Sequence, residues 1–113
     1  VSEDSTRSDI SAAELQDVIS CQKVVVIDVR ERVEFEAYAI DNAVNFPLTD
    51  ILSRAREGSL SAKLREKIAS ETNLVVIYCT GYTRSVEAAR EITPLTQAPV
   101  RILSGGISSW LTV

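Results

Sequence analysis

The chain has 113 residues, enough for one domain with its own core, and its 45% hydrophobic and 25% charged residues are ordinary for a globular protein. Twelve basic against sixteen acidic residues leave a net charge of −4, which excludes the basic surface of a typical nucleic-acid binder. No apolar run approaches the roughly 18 residues that span a membrane, and no histidine is present, so Ser-His-Asp and Cys-His machinery and a His-ligated metal are excluded.

Residues 1–9, Val1 to Asp9, are polar and aperiodic and are read as a flexible tail, with one folded domain over residues 10–113. Ser11 followed by Glu14 forms a capping box, and Ala12, Leu15, Val18 and Ile19 recur at helical spacing, predicting a helix to about Ser20. Cys21, at its end, reads as a small buried or half-buried filler. Cys21 and Cys79 form no Cys-x-x-Cys pair, which argues against a zinc site or a dithiol redox motif. A disulfide between them stays open, although the lack of a secretory pattern makes a reducing intracellular, cytoplasmic setting the expectation.

Val24 to Val29 is apolar on both faces, as a strand covered on two sides must be. Asp28 and Arg30 close it, where open α/β sheets place their ligand crevice; the plainer reading, an ion pair tying loops together, is favoured. Glu31 to Tyr38 reads as a short helix, and Ala43 to Phe46 as a brief strand ended by Pro47. Asp50 to about Arg56 is weakly helical, with Ile51, Leu52 and Ala55 on one side, and Glu57-Gly58-Ser59 breaks it. Leu60, Leu64 and Ile68 then mark a surface helix over Leu60–Ala69.

Leu74 to Tyr78 is a buried strand that delivers Cys79 to a polar turn, after which a helix runs from Ser85 to about Thr93 with Val86, Ala89 and Ile92 inward, stopped by Pro94. Val100 to Leu103 is a last strand. Gly105 and Gly106 follow, free to take positive φ and a close backbone approach, before a short helix carrying Ile107 and a core Trp110. Alternating strands and helices predict a three-layer α/β architecture: a mainly parallel sheet of four to five strands with helices on both faces.

The turn Cys79-Thr80-Gly81-Tyr82-Thr83-Arg84 carries the chemistry. A helix start offers unpaired N–H groups and partial positive charge, which favour a thiolate over a thiol. A loop curling from strand to helix can aim successive amides at one anion, with Gly81 supplying positive φ. Thr80 and Thr83 add hydroxyls, and Arg84 a permanent cation with a fork suited to oxyanions. With no histidine to act as base, sulfur transfer is the reaction these residues suit: it needs a thiolate, an anion cradle and room for one more sulfur. The geometric requirement is an open pocket facing the Cys79 thiol.

Five pieces in order give the chain a resemblance: Ile10 to Leu15; Asp28-Val29-Arg30 with Glu34-Phe35; Ala43 to Leu48; Tyr78-Cys79 to Arg84-Ser85; and Leu103 to Ile107 with Trp110. Together they resemble the single-domain rhodaneses of the thiosulfate sulfurtransferase family, from Ile10 to Trp110. The resemblance implies that Cys79 takes sulfur from a small donor, thiosulfate or a persulfide, carries it as a persulfide, and passes it to cyanide or a thiol acceptor, with a sulfur-relay protein as a further partner. It implies that Thr80, Gly81, Tyr82, Thr83 and Arg84 form the substrate cradle and that neither cofactor nor metal is required. Six residues from cysteine to arginine inclusive is the family's sulfurtransferase loop length; the related phosphatases and arsenate reductases carry one more. The alternatives are a non-catalytic or redox-regulatory interaction module and, behind it, such a phosphatase or reductase. Two departures stand out. Glycine commonly lies three positions after the cysteine, where Tyr82 stands here, and Tyr38 to Asn42 replaces a Gly-His-Ile-x-Gly pattern. A tyrosine forced to positive φ costs about 1 kcal/mol or more, and Tyr82 is read as a solvent-facing loop residue rather than a gate.

Overall fold

The computed structural model describes residues 9–56, 62–68 and 72–112. In chain order the elements are β1 (Asp9–Ile10), α1 (Ala12–Ile19), β2 (Val24–Asp28), α2 (Arg32–Ala37), β3 (Val44–Asn45), α3 (Leu48–Arg56), α4 (Ala62–Ile68), β4 (Leu74–Tyr78), α5 (Thr83–Ile92), β5 (Val100–Leu103) and α6 (Gly106–Leu111). The expectations for residues 1–8, for the break at Glu57-Gly58-Ser59 and for Leu60 and Ala69 lie outside the described residues.

The five strands form one all-parallel sheet in the order β1-β5-β4-β2-β3. From its two central strands the chain departs in opposite directions, from β2 to β3 and from β4 to β5, the arrangement that opens a crevice at the strands' C-terminal ends. Parallel sheets need cover on both faces. On one face Ala12 and Leu15 of α1 and Ile107 of α6 pack with Val26, Val76 and Leu103. On the other, Leu48 and Ile51 of α3, Leu64 and Ile68 of α4 and Ala88 and Ile92 of α5 pack with Ile27, Val29 and Val75. The expected three-layer α/β fold is therefore the observed one.

Local chemistry explains most boundaries. The Ser11 hydroxyl accepts from the Glu14 amide at 3.1 Å, and the Ser11 amide donates to Glu14 Oε1 at 2.9 Å, the reciprocal cap read from the sequence. Asp9, assigned to the tail, instead opens β1 and pairs with Ile102 of β5; a two-residue strand has no alternation to reveal it. Cys21 is exposed rather than buried, because α1 has ended and the chain is already turning, with its thiol 3.5 Å from the Asp17 carbonyl. Both cysteines are free. Trp110 is half-buried at the edge of the α1–α6 core rather than within it.

Helix α5 starts two residues earlier than expected, at Thr83, and buries Ser85, Ala88 and Ile92, with Val86 and Ala89 only half-buried. Its start carries no capping side chain to mark it. Asn42 adopts a φ of 69°, the left-handed region where the family pattern places glycine. Asparagine is among the few other residues that accept that region readily.

Candidate active site

Side chains alternate along β4. Leu74, Val76 and Tyr78 join the α1–α6 core, while Val75 and Ile77 join the opposite one. Cys79 continues the second set and meets α5 at its first turn. There the Ser85 hydroxyl, itself fully buried, donates to Cys79 Sγ at 3.1 Å. The first-turn amides of α5 have no intrahelical acceptor, so the positive end of a ten-residue helix lies beside the sulfur. Ser85 was not among the expected site residues. No local pattern marked it, because α5 starts at Thr83 without a capping side chain and only that start puts Ser85 inside the first turn.

The carbonyl of Cys79 is held as well, by the Ile107 amide at 3.0 Å. That contact depends on Gly106. At φ 61° it lies so close that a Cβ there would be inside van der Waals contact of the Cys79 and Thr80 carbonyl oxygens. Gly105, at φ 77°, caps the start of α6. The expectation that these glycines permit a close approach is met, and the segment approached is the cysteine turn.

Among the described residues, the Cys79 side chain does not face the open space expected of it. Cys79 is 1% exposed, and its neighbours in the core include Ile27, Val29 and Ala88. Two surface grooves, of about 470 and 490 Å³, are lined by other residues, among them Arg32 and Phe46 in the first and Phe35 and Lys67 in the second. The register of β4 is the cause: a residue two after Ile77 points into the same packed layer.

The remaining cradle residues divide. Thr80, Gly81 and Thr83 are exposed, and Tyr82 is 39% exposed. Gly81 does not supply positive φ: among the described residues that conformation falls on Asn42, Gly105 and Gly106. Nor is Tyr82 strained, since its φ is −144°. Its hydroxyl donates to Asp9 Oδ1 at 3.2 Å, linking the turn to β1. Arg84 lies 3.1 and 3.4 Å from the two carboxylate oxygens of Glu34, and its other terminal nitrogen donates to Thr80 Oγ1 at 3.1 Å. The structure thus brings Cys79, Thr80, Arg84 and Ser85 together and adds Glu34 from α2.

Beneath the site, Asp28 and Arg30 are the ion pair that ties loops together. Asp28 is fully buried and Arg30 2% exposed. Arg30 Nε lies 3.1 Å from both Asp28 oxygens and Nη2 lies 2.8 Å from Oδ2. Nη2 also donates to the Tyr38 carbonyl at 2.7 Å, and the guanidinium lies over the Tyr38 and Tyr78 rings at 5.3 and 5.7 Å. Such a pair offsets its desolvation only when its geometry is good and further hydrogen bonds are made, and here Nη2 has the Tyr38 carbonyl as well as Asp28. The Tyr78 hydroxyl accepts from the Ile40 amide at 3.1 Å, and burial pushes its ionisation well above the ordinary tyrosine range. The brace fixes the ends of β2 and β4 and leaves Cys79 as the ionisable residue on the other face of the β4 end.

A family model described as Rhodanese-like domain matches residues 11–112. "Adenylyltransferase and sulfurtransferase uba4" of Neosartorya fischeri is 31% identical over 101 residues, which cover 75% of this chain and 21% of that protein. The chain spans only about a fifth to a quarter (21 to 25%) of the length of the curated relatives it matches. Among solved structures, a rhodanese-related protein from Thermoplasma volcanium is similar at 27% identity and a TM-score of 0.68, covering 93% of this chain and 91% of its own. The human single-domain sulfurtransferase TSTD1 shares the fold at 23% identity and a TM-score of 0.68, covering 92% and 95%.

Proposed function

Because this chain belongs to the rhodanese-like domain family, we propose that it is a sulfurtransferase carrying sulfane sulfur on Cys79. The observation that supports this most is the Ser85 hydroxyl donating to Cys79 Sγ at 3.1 Å, at the start of α5. A hydroxyl donor and a helix N-terminus both stabilise a sulfur anion. In the first half-reaction the Cys79 thiolate attacks the outer sulfur of the donor. The donor's S–S bond breaks with its electron pair leaving on the departing group, sulfite from thiosulfate or a thiolate from a persulfide. In the second, an acceptor thiolate or cyanide attacks the outer sulfur of the Cys79 persulfide and regenerates the thiolate. No base is required at either step, consistent with the absence of histidine. Because Cys79 is 1% exposed, both steps require the packing around its sulfur to open first. The intracellular setting expected from the sequence belongs to this reading too; no helix of the described residues is long and apolar enough to cross a membrane.

The same burial, with Arg84 already paired, favours a second reading: a non-catalytic or redox-regulatory interaction module. One experiment separates the two. The protein is incubated with thiosulfate or with glutathione persulfide, and its intact mass is measured before and after cyanide. A gain of one sulfur atom, absent in Cys79→Ser and removed by cyanide, is expected. An unchanged mass with both donors would leave the interaction module.

A further inference from the structure

The helix whose first turn holds the Cys79 sulfur begins without a cap. Ser, Thr, Asp and Asn at an N-cap tie down the first amides of a helix; Tyr82 has that position in α5 and makes no capping bond. An uncapped start frays at little cost. Fraying this one carries away Ser85, whose hydroxyl donates to Cys79 Sγ, and uncovers the sulfur from that side. The opposite side of the packing is firmer: Ile27 and Asp28 lie in β2, an inner strand of the sheet, and the Asp28–Arg30 pair braces its end. In place of a cap, two side chains tether the start of α5. Arg84 reaches Glu34 on α2, and Tyr82 reaches sideways to Asp9 Oδ1 on β1 at 3.2 Å. Glu34 and Arg84 both lie within the pieces that resemble the family. Tyr82 stands where the family pattern commonly has glycine, which has no side chain to reach with.

We propose that the Tyr82–Asp9 bond is a clasp that sets how often Cys79 is exposed: it stands in for the missing cap of α5, and breaking it lets the first turn of that helix lift from the sulfur. Tyr82 is thereby a positioning residue, acting on Cys79 through the turn that carries Ser85. Its side of the bond is 39% exposed, so the bond competes with water and has the modest strength of a contact that breaks and re-forms readily. The clasp does not depend on the chemistry at Cys79. Only its use, metering the access of a sulfur donor, rests on the sulfurtransferase reading.

The test follows alkylation of Cys79 by iodoacetamide, an uncharged reagent, through intact mass in a Cys21→Ser background that removes the exposed thiol. Tyr82→Phe keeps the ring and deletes the hydroxyl. Cys79 should then react about fivefold faster, the factor one ordinary hydrogen bond contributes to an opening equilibrium. Asp9→Ala should give a similar gain, and the double variant no more than either alone, because the two side chains share one bond. Unchanged alkylation in Tyr82→Phe, or gains that multiply in the double variant, would overturn the clasp. So would alkylation no faster than the global unfolding equilibrium from a urea titration allows, since the tether would then be merely structural. Loading of Cys79 from thiosulfate should quicken in parallel; loading at an unchanged rate would overturn the clasp's part in sulfur transfer. Faster alkylation with no loading in any variant would leave the clasp standing and remove the sulfurtransferase reading instead.

Discussion

Which glycine the cysteine turn depends on is a question the sequence and the structure answer differently, and two alanine substitutions decide it. At Gly106 the φ of 61° costs an alanine about 1–2 kcal/mol by itself. The new Cβ would stand 2.6 Å from the Thr80 carbonyl carbon, with the Cys79 and Thr80 carbonyl oxygens closer still. These are backbone atoms and cannot rotate away. Moving them strains packing by a further 1–3 kcal/mol or so and loosens the 3.0 Å bond from the Ile107 amide to Cys79, worth about 1 kcal/mol. Gly106→Ala should therefore lose about 3–6 kcal/mol, a large part of the roughly 5–15 kcal/mol available to a domain. At a urea slope of about 2 kcal/mol per molar, that lowers the unfolding midpoint by about 2 M. Gly81 has no neighbour within 4 Å of an added Cβ and no positive φ. Gly81→Ala should hold its midpoint or gain up to about 1 kcal/mol by restricting the unfolded chain. Urea unfolding followed by Trp110 fluorescence measures both. A Gly106→Ala protein as stable as the wild type, or a Gly81→Ala protein less stable than Gly106→Ala, would refute the reasoning.

Ser85→Ala removes the hydroxyl that donates to Cys79 Sγ; a hydrogen bond to a charged partner is worth about 1.5–3 kcal/mol. Loading of Cys79 from a persulfide, timed by mass spectrometry, should slow by about 10- to 100-fold, and a loss below about threefold would remove Ser85 from the chemistry. Tyr78 should make stability depend on alkaline pH. Burial raises its folded-state pKa above the unfolded value of about 10, so its contribution is complete below about pH 10 and drains away as pH rises beyond it. Tyr78→Phe strands the Ile40 amide and is the less stable at about pH 8, but the gap to the wild type should narrow above about pH 10. A gap that stays constant across that range would contradict the assignment.

What the sequence disclosed was whatever local pattern encodes. Continuous apolar runs marked β2 and β4 because strands covered on both sides cannot alternate, and Ser11 with Glu14 wrote its cap in the residues themselves. The paired glycines before Ile107 announced a close approach but not its target. What stayed hidden depends on distance along the chain or on the absence of a cap. The partnership of Arg84 with Glu34 spans fifty residues, and no single-sequence pattern links two charges so far apart. Helix α5 begins without a capping side chain, so its start was placed late, and Ser85 was left out of the site. The cover over Cys79 was missed for another reason. The polar residues of the turn mask it, although the alternation of β4 carried on by one residue points the sulfur inward.

Tyr78, the last residue of β4, and Cys79, directly after it, thus have separate duties: Tyr78 anchors the brace on one side of the sheet, and Cys79 meets α5 on the other. Losing or gaining one residue within Leu74–Tyr78 would exchange those sides, turning the sulfur towards Arg30 and an aromatic ring towards Ser85. A descendant with such a slip could keep its cysteine in the written sequence and still be chemically silent. Presence of the thiol is therefore a poor guide to which copies of this domain work. Parity along one strand is the better one.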